Sequence, residues 1–71
     1  MRIEVSEPAQ LHSLIRFLEF DQNVLVTRLS ETEIEVGFIG SLNIDAQRTE
    51  TQLRLRSWSA SHPHTITTLR E

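Results

Sequence analysis

The hydrophobic pattern of this 71-residue chain switches between a two-residue and a helical period in the order strand, helix, strand, strand, helix, strand. Few folds accommodate that order. Met1, Ile3 and Val5 alternate with Arg2 and Glu4, the period of a half-buried strand. Ser6-Glu7-Pro8 ends the strand and starts a helix, because proline is tolerated in a first turn and Ser6 or Glu7 can cap. Over residues 9–20, Leu11, Leu14, Ile15 and Leu18 recur at helical spacing as one apolar stripe. Asp21-Gln22-Asn23 closes the helix with turn-forming residues, and the β-branched run over 24–29 reads as a second strand. After a tight connection at Ser30-Glu31, strict alternation over 32–39 predicts the other arm of a hairpin. Gly40-Ser41 breaks it. Asn43 or Ser41 then caps a second helix running to about residue 61, with Asp45 at the positive end of its dipole and Pro63 as its stop. Thr65-Ile66-Thr67-Thr68-Leu69 is a short last strand.

Two helices that bridge strands, with one hairpin between them, predict an α+β domain of the ferredoxin-like βαββαβ kind. Right-handed crossovers put the first and third strands in the centre of a four-stranded antiparallel sheet, with two helices on one face and the other face bare. Residues 1–71 are expected to form a single domain. A chain of this length buries only about 60% of its unfolded surface. It contains no cysteine, so a partner chain rather than a disulfide is the expected source of extra stability.

The end of the second helix carries Leu53, Leu55, Arg56, Trp58, His62 and Pro63 in the pattern Leu-x-Leu-Arg-x-Trp-x-x-x-His-Pro. In this the chain resembles small bacterial βαββαβ proteins of about the same length, a likeness that implies the fold rather than an activity. Glu7-Pro8-Ala9-Gln10-Leu11 is similar to the acidic-Pro-Gly-x-Leu loop of amino-acid-sensing ACT domains, with Ala9 where those have glycine. That resemblance implies a ligand loop at Ser6, Glu7 and Gln10 and a pairing of chains. Other users of the fold need residues that are missing here. Soft-metal carriers need a Cys-x-x-Cys loop after the first strand, and phosphate-cradling hydrolases need a Gly- and Arg-bearing one. RNA binders need aromatic residues on the central strands, where this chain has Arg2, Glu4, Glu33 and Glu35.

With 38% apolar and 24% charged residues the composition is that of a globular protein, and a net charge of −3 disfavours a nucleic-acid partner. No apolar run reaches the length of a signal peptide or a membrane span, so the expected protein is soluble and cytoplasmic, with no membrane partner. All seven basic residues are arginine, which compositional drift explains as well as any recognition role. His62-Pro63-His64 offers two imidazoles but no neighbouring thiol or carboxylate, so it reads as a helix terminus and not a metal site. His12 falls on the solvent side of the first helix. Ser57, Ser59 and Ser61 near His62 have no acid placed to orient that ring, so a catalytic triad is not expected. Glu31, Glu33 and Glu35 at period two read as a solvated strand face, and Glu50 with Arg54 as an i,i+4 ion pair. No cofactor and no enzymatic activity are expected.

On the second helix two stripes compete. Leu42, Ala46, Thr49, Leu53, Ser57 and Ala60 make a small-residue stripe fit to lie on a sheet, while Ile44, Leu55 and Trp58 point the other way. Trp58 then either packs on the first helix, against Phe17 or Phe20, or is exposed. On the second strand, either Val24 and Val26 or Leu25 and Leu29 face the open side of the sheet. These residues predict an interface of Val24, Val26, Arg28, Glu33, Glu35, Ile44, Leu55 and Trp58, used in a homodimer that sets Arg2 and Arg28 against Glu4, Glu33 or Glu35 of the mate. The expected function is a small non-enzymatic interaction or regulatory module with this chain or another protein as partner. The alternative is an ACT-like sensor of an amino acid or anion.

Overall fold

A computed structural model describes residues 1–40 and 43–70, in the element order β1 (Arg2–Val5), a 3-10 turn (Pro8–Gln10), α1 (Leu11–Glu19), β2 (Val24–Arg28), β3 (Glu33–Phe38), α2 (Ile44–Ala60) and β4 (Thr67–Arg70). The strands form one sheet in the order β2-β3-β1-β4, with every neighbouring pair antiparallel. This is an α+β structure compatible with a βαββαβ fold, and β1 and β3 occupy the centre as expected. Ser41, expected as a cap, and Leu42, expected in the small-residue stripe, lie outside the described residues.

Local chemistry explains most boundaries. Pro8 has no amide hydrogen to offer, and the chain makes a single 3-10 turn there before α1 begins at Leu11. Ser30 organises the hairpin, its hydroxyl accepting from the backbone N–H groups of Thr32 and Glu33 at 3.2 and 3.1 Å. Gly40 ends the β3 arm at φ +115°, a conformation that side chains bearing a Cβ rarely adopt. Asn43 caps α2, its Oδ1 accepting from the Ala46 N–H at 2.8 Å.

The sheet has one apolar and one ionic side. Ile3 and Val5 of β1, Val24 of β2 and Ile34 and Val36 of β3 form one buried cluster with Leu11, Leu14 and Leu18 of α1 and Leu55 and Trp58 of α2, so the two helices share that side. The register sets Val24 opposite Phe38 and Val26 opposite Val36, which turns both valines inward, and Leu25 opposite Gly37 on the outer side. On the outer side Glu4 faces Glu33 and Arg2 faces Arg70, like against like. Diagonal pairs cancel these: Arg70 reaches Glu4 at 2.9 Å and Arg2 lies 3.9 Å from Glu33.

The rotation of α2 corrects the expected stripe. Thr51, Leu55 and Trp58 are buried, while Thr49, Ser57 and Ala60 are exposed and Leu53 is 51% exposed. An indole offers about 150–250 Å² of surface, worth roughly 4–6 kcal/mol at about 25 cal/mol per Å², and small side chains cannot match it. Trp58 packs on α1 as one reading expected, but at Ser13 rather than at Phe17 or Phe20. Its indole Nε1 donates to Ser13 Oγ at 3.3 Å. Thr51, the polar member of the buried stripe, donates its hydroxyl to the Gln47 carbonyl at 2.7 Å, and among the described residues no buried side-chain polar atom lacks a partner. No described helix is long and apolar enough to cross a membrane.

Leu55→Ala and Leu53→Ala separate the two rotations of α2. In urea unfolding followed by Trp58 fluorescence, Leu55→Ala should cost about 2–5 kcal/mol and Leu53→Ala less than about 0.5. Equal costs would mean that α2 is turned differently.

Candidate functional site

Arg54, in the middle of α2, is the residue around which the helix-side surface is organised. Its guanidinium contacts Asp21 Oδ2 at 2.5 Å, in the α1–β2 turn, and Glu50 Oε2 at 2.8 Å one helical turn back. Its Cζ also lies 5.3 Å from the centroid of the Phe38 ring, within cation–π range. Asp21 in turn accepts from the Asn23 backbone N–H at 2.9 Å. The Asn23 N–H first, and the Arg54 guanidinium second, hold the Asp21 carboxyl below the usual carboxylate range.

This ion-paired junction separates two hollows. One is an apolar groove of about 400 Å³ lined by Arg16, Phe17, Phe20, Asp21 and Arg54. The other, of about 300 Å³, is lined by Asp21, Asn23, Phe38, Ile39, Glu50 and Arg54. Phe20 is 92% exposed and Phe17 41%. Phenyl rings this open to water are costly to leave uncovered, and on the other side of the junction Ile39 is exposed as well.

The expected interface does not come together. Val24 and Leu55 are buried, Trp58 is 2% exposed, and Val26 is half-buried against the core, because sheet register and indole burial draw all four inward. They cannot line a docking face of the folded chain. Ile44 is exposed at the start of α2, and the Arg28 Nε donates to the Ser30 carbonyl within its own hairpin at 3.1 Å. Glu33 sits beside Arg2 of the same chain, and Glu35 lies 2.6 Å from the Met1 amino group, whose ammonium holds the Glu35 carboxyl below its usual range. Of the charges expected to pair across a dimer, Arg2, Glu4, Glu33 and Glu35 thus have ionic partners within the chain, while Arg28 meets a carbonyl.

The expected ligand loop is tied to Ile66, the residue just before β4. Ser6 Oγ accepts from the Ile66 N–H at 2.8 Å, the Ser6 N–H donates to the Ile66 carbonyl, and the Glu7 carbonyl accepts from the Gln10 N–H. A shallow hollow of about 340 Å³ lies beside it, lined by Glu4, Val5, Ser6, Thr32, Ile66 and Thr68. Hydroxyls with a carboxylate are a poor cradle for an anion.

One polar cluster has the outline of a nucleophile and its base. His62 stacks on Trp58 with centroids 3.9 Å apart and 11° between planes. Its Nδ1 lies 2.8 Å from the Trp58 carbonyl, which can only accept, so the neutral ring carries its proton there and Nε2 accepts from the Ser13 hydroxyl at 3.4 Å. Ser13 Oγ also accepts from the indole, and none of the three hollows is lined by Ser13 or His62. The cluster closes the end of α2 onto α1. His64 is exposed, and among the described residues no three His, Asp or Glu side chains gather as a metal site.

No protein-family model, no curated protein and no solved structure matches the chain.

Arg16, Phe17, Phe20 and Arg54 were not among the expected site residues. A signal for the aromatics is present, since at 100° per residue Phe20 falls about 180° from Leu11 and so outside the stripe that the core takes. Arg54 had only its i,i+4 partner in the sequence, and nothing there joined it to Asp21.

Asp21 and Glu35 both have carboxyl groups that ionise more readily in the folded chain than the ordinary value of about 4. Their stabilising contributions are complete above that ordinary value and disappear as pH falls through the lower folded-state values. Thermal denaturation from neutral pH down to about pH 2 should therefore show falling stability below about pH 5, with a shallower decline for Asp21→Asn. A D21N decline as steep as the parent's would show that Asp21 is not linked to folding.

Proposed function

We propose that this chain is a non-enzymatic interaction module on a ferredoxin-like βαββαβ scaffold, and that it makes its contacts through the helix side at the end of α1. The exposure of Phe20 and Phe17 over an apolar groove is the observation that carries this reading. Aromatic residues and arginine are the side chains most often found to anchor protein contacts, and Arg16 and Arg54 line the same groove. The ionic side of the sheet lends no comparable support, because its charges are neutralised in pairs within the chain. Element order and the central position of β1 and β3 support the ferredoxin-like assignment, and the Leu53-to-Pro63 pattern its likeness to small bacterial proteins of that shape.

The rival reading, an amino-acid sensor of ACT type, draws support only from the position of the Ser6 loop beside the hydroxyl-lined hollow. A thermal-shift panel of amino acids and nucleotides distinguishes them. A ligand at 100 times its dissociation constant stabilises by about 2.7 kcal/mol, which moves the midpoint of so small a domain by roughly 10–20 °C. The interaction reading expects no member of the panel to do this, and a shift of that size from any amino acid would replace it with the sensor.

A further inference from the structure

We infer that β2 pairs with the β2 strand of a second copy of this chain, antiparallel about a two-fold axis, so that two sheets join edge to edge. This surface is distinct from the Phe17–Phe20 groove and goes beyond the interaction reading above. β2 is an edge strand of the sheet. The Leu29 N–H donates to the Glu33 carbonyl and the Ile39 N–H to the Asn23 carbonyl, which fixes the residues of β2 that bond to β3. Antiparallel ladders alternate, so Leu25 and Thr27 turn their backbone groups toward β3, while Val24, Val26 and Arg28 turn theirs outward. The Val24 N–H is taken by the Asp21 carbonyl at 3.1 Å. The edge therefore offers the Val26 and Arg28 donors and the carbonyls of Val24, Val26 and Arg28. β2 has no proline, and its one-to-one register with β3 leaves no bulge, so it lacks two devices that commonly protect a sheet edge. The other edge strand, β4, is shorter, and its Arg70 already reaches Glu4.

Backbone, charge and apolar surface fit one register, with Val26 on the axis. Each Val26 then exchanges N–H and C=O bonds with its copy, and each Arg28 N–H donates to the partner's Val24 carbonyl. Arg28 opposes Ile34 in its own sheet and so lies on the helix side, where it comes next to the end of the partner's α1. Glu19 sits there. Ser13 and Phe17 mark the flank of α1 that faces α2, since Ser13 accepts from the Trp58 indole and Phe17 lines the groove with Arg54. Glu19 lies about 160° from Phe17 around the helix, on the opposite flank. Because α1 packs on β2 and α2 on β4, that flank overlooks the β2 edge. Arg28 and Glu19 are exposed, and among the described residues neither has an ion partner. The two-fold axis makes the Arg28–Glu19 pair twice, as an isologous contact requires. On the open side Leu25 and Leu29 are 56% and 46% exposed, and this register sets Leu25 diagonal to the partner's Leu25 and the partner's Leu29. A five-residue strand is about 17 Å long, so the contact falls short of the roughly 1,200–2,000 Å² that stable interfaces bury, and the dimer is concentration-dependent.

Sedimentation and amide hydrogen exchange of the full chain, from micromolar to millimolar concentration, test this. The mass should rise from the 8.2 kDa of one chain toward twice that value, and over the same range the Val26 and Arg28 amides should pass from fast to slow exchange. Val26→Pro removes an outward donor without touching the β3 ladder and should abolish the dimer. Arg28→Glu and Glu19→Arg should each weaken it by about tenfold or more, because like charges then meet across the contact. The double variant R28E/E19R should recover it, since the pair is restored with its signs exchanged. Near-ultraviolet circular dichroism of Trp58 reports whether each variant keeps the fold, and if V26P does not, the two charge variants and their combination decide. A single 8.2 kDa species at millimolar concentration overturns the pairing, as does a double variant no better than its components. A dimer in which the Val26 and Arg28 amides exchange as fast as in the dilute chain also overturns it. If such a dimer is lost in F20E, the contact is at the groove, so the β2 pairing fails while the interaction reading stands.

Discussion

The burial of Trp58 against α1 fixes the arrangement of the helix layer. α2 is polar around most of its circumference and buries only Thr51, Leu55 and Trp58, so its rotation is decided by the one side chain with most surface to hide. The indole N–H needs an acceptor once it leaves water, and Ser13 supplies it from α1. With that rotation set, Arg54 arrives beside Asp21 and over Phe38, Leu53 is turned outward, and the space between the helices opens onto Phe17 and Phe20. The groove is therefore a consequence of core packing. His62, stacked on the same indole and hydrogen-bonded to the Trp58 carbonyl, seals the end of the arrangement.

The two outer surfaces follow opposite physics. Across the open side of the sheet two directly opposed pairs carry like charges, Glu4 with Glu33 and Arg2 with Arg70, and arginine side chains reach diagonally to the carboxylates that cancel them. Such exposed pairs are worth little individually, about 0–1 kcal/mol. Their effect is to leave that side hydrated and without unanswered charge. The helix side has the reverse character, with aromatic rings in water beside the exposed Arg16, which has no ion partner among the described residues. A surface that is internally satisfied has little to gain from a partner, and one that is not has more.

What could be read beforehand depended on the range of the interactions concerned. Alternation in residues 1–5 and 32–39, the Leu11–Leu18 stripe and the punctuation at Pro8, Ser30 and Gly40 are local, and each corresponds to an element or a turn of the structure. The same local pattern misled where two solutions had the same period. For α2 the small-residue stripe and the Trp58 stripe were both helical, and only the area of the indole chose between them. Strand β2 admitted either face inward until its pairing placed Val26 opposite Val36.

By itself the sequence determined the succession of elements, the antiparallel hairpin, the central place of β1 and β3 and the absence of a sulfur-based site, because these follow from periodicity, chain reach and residue type. Tertiary structure alone decided which side of α2 is hidden, that Arg54 joins Asp21 across 33 residues of chain, and that Phe20 is left in water. Those outcomes depend on competition among side chains for a single small core, a comparison that exists only when all the elements are brought together.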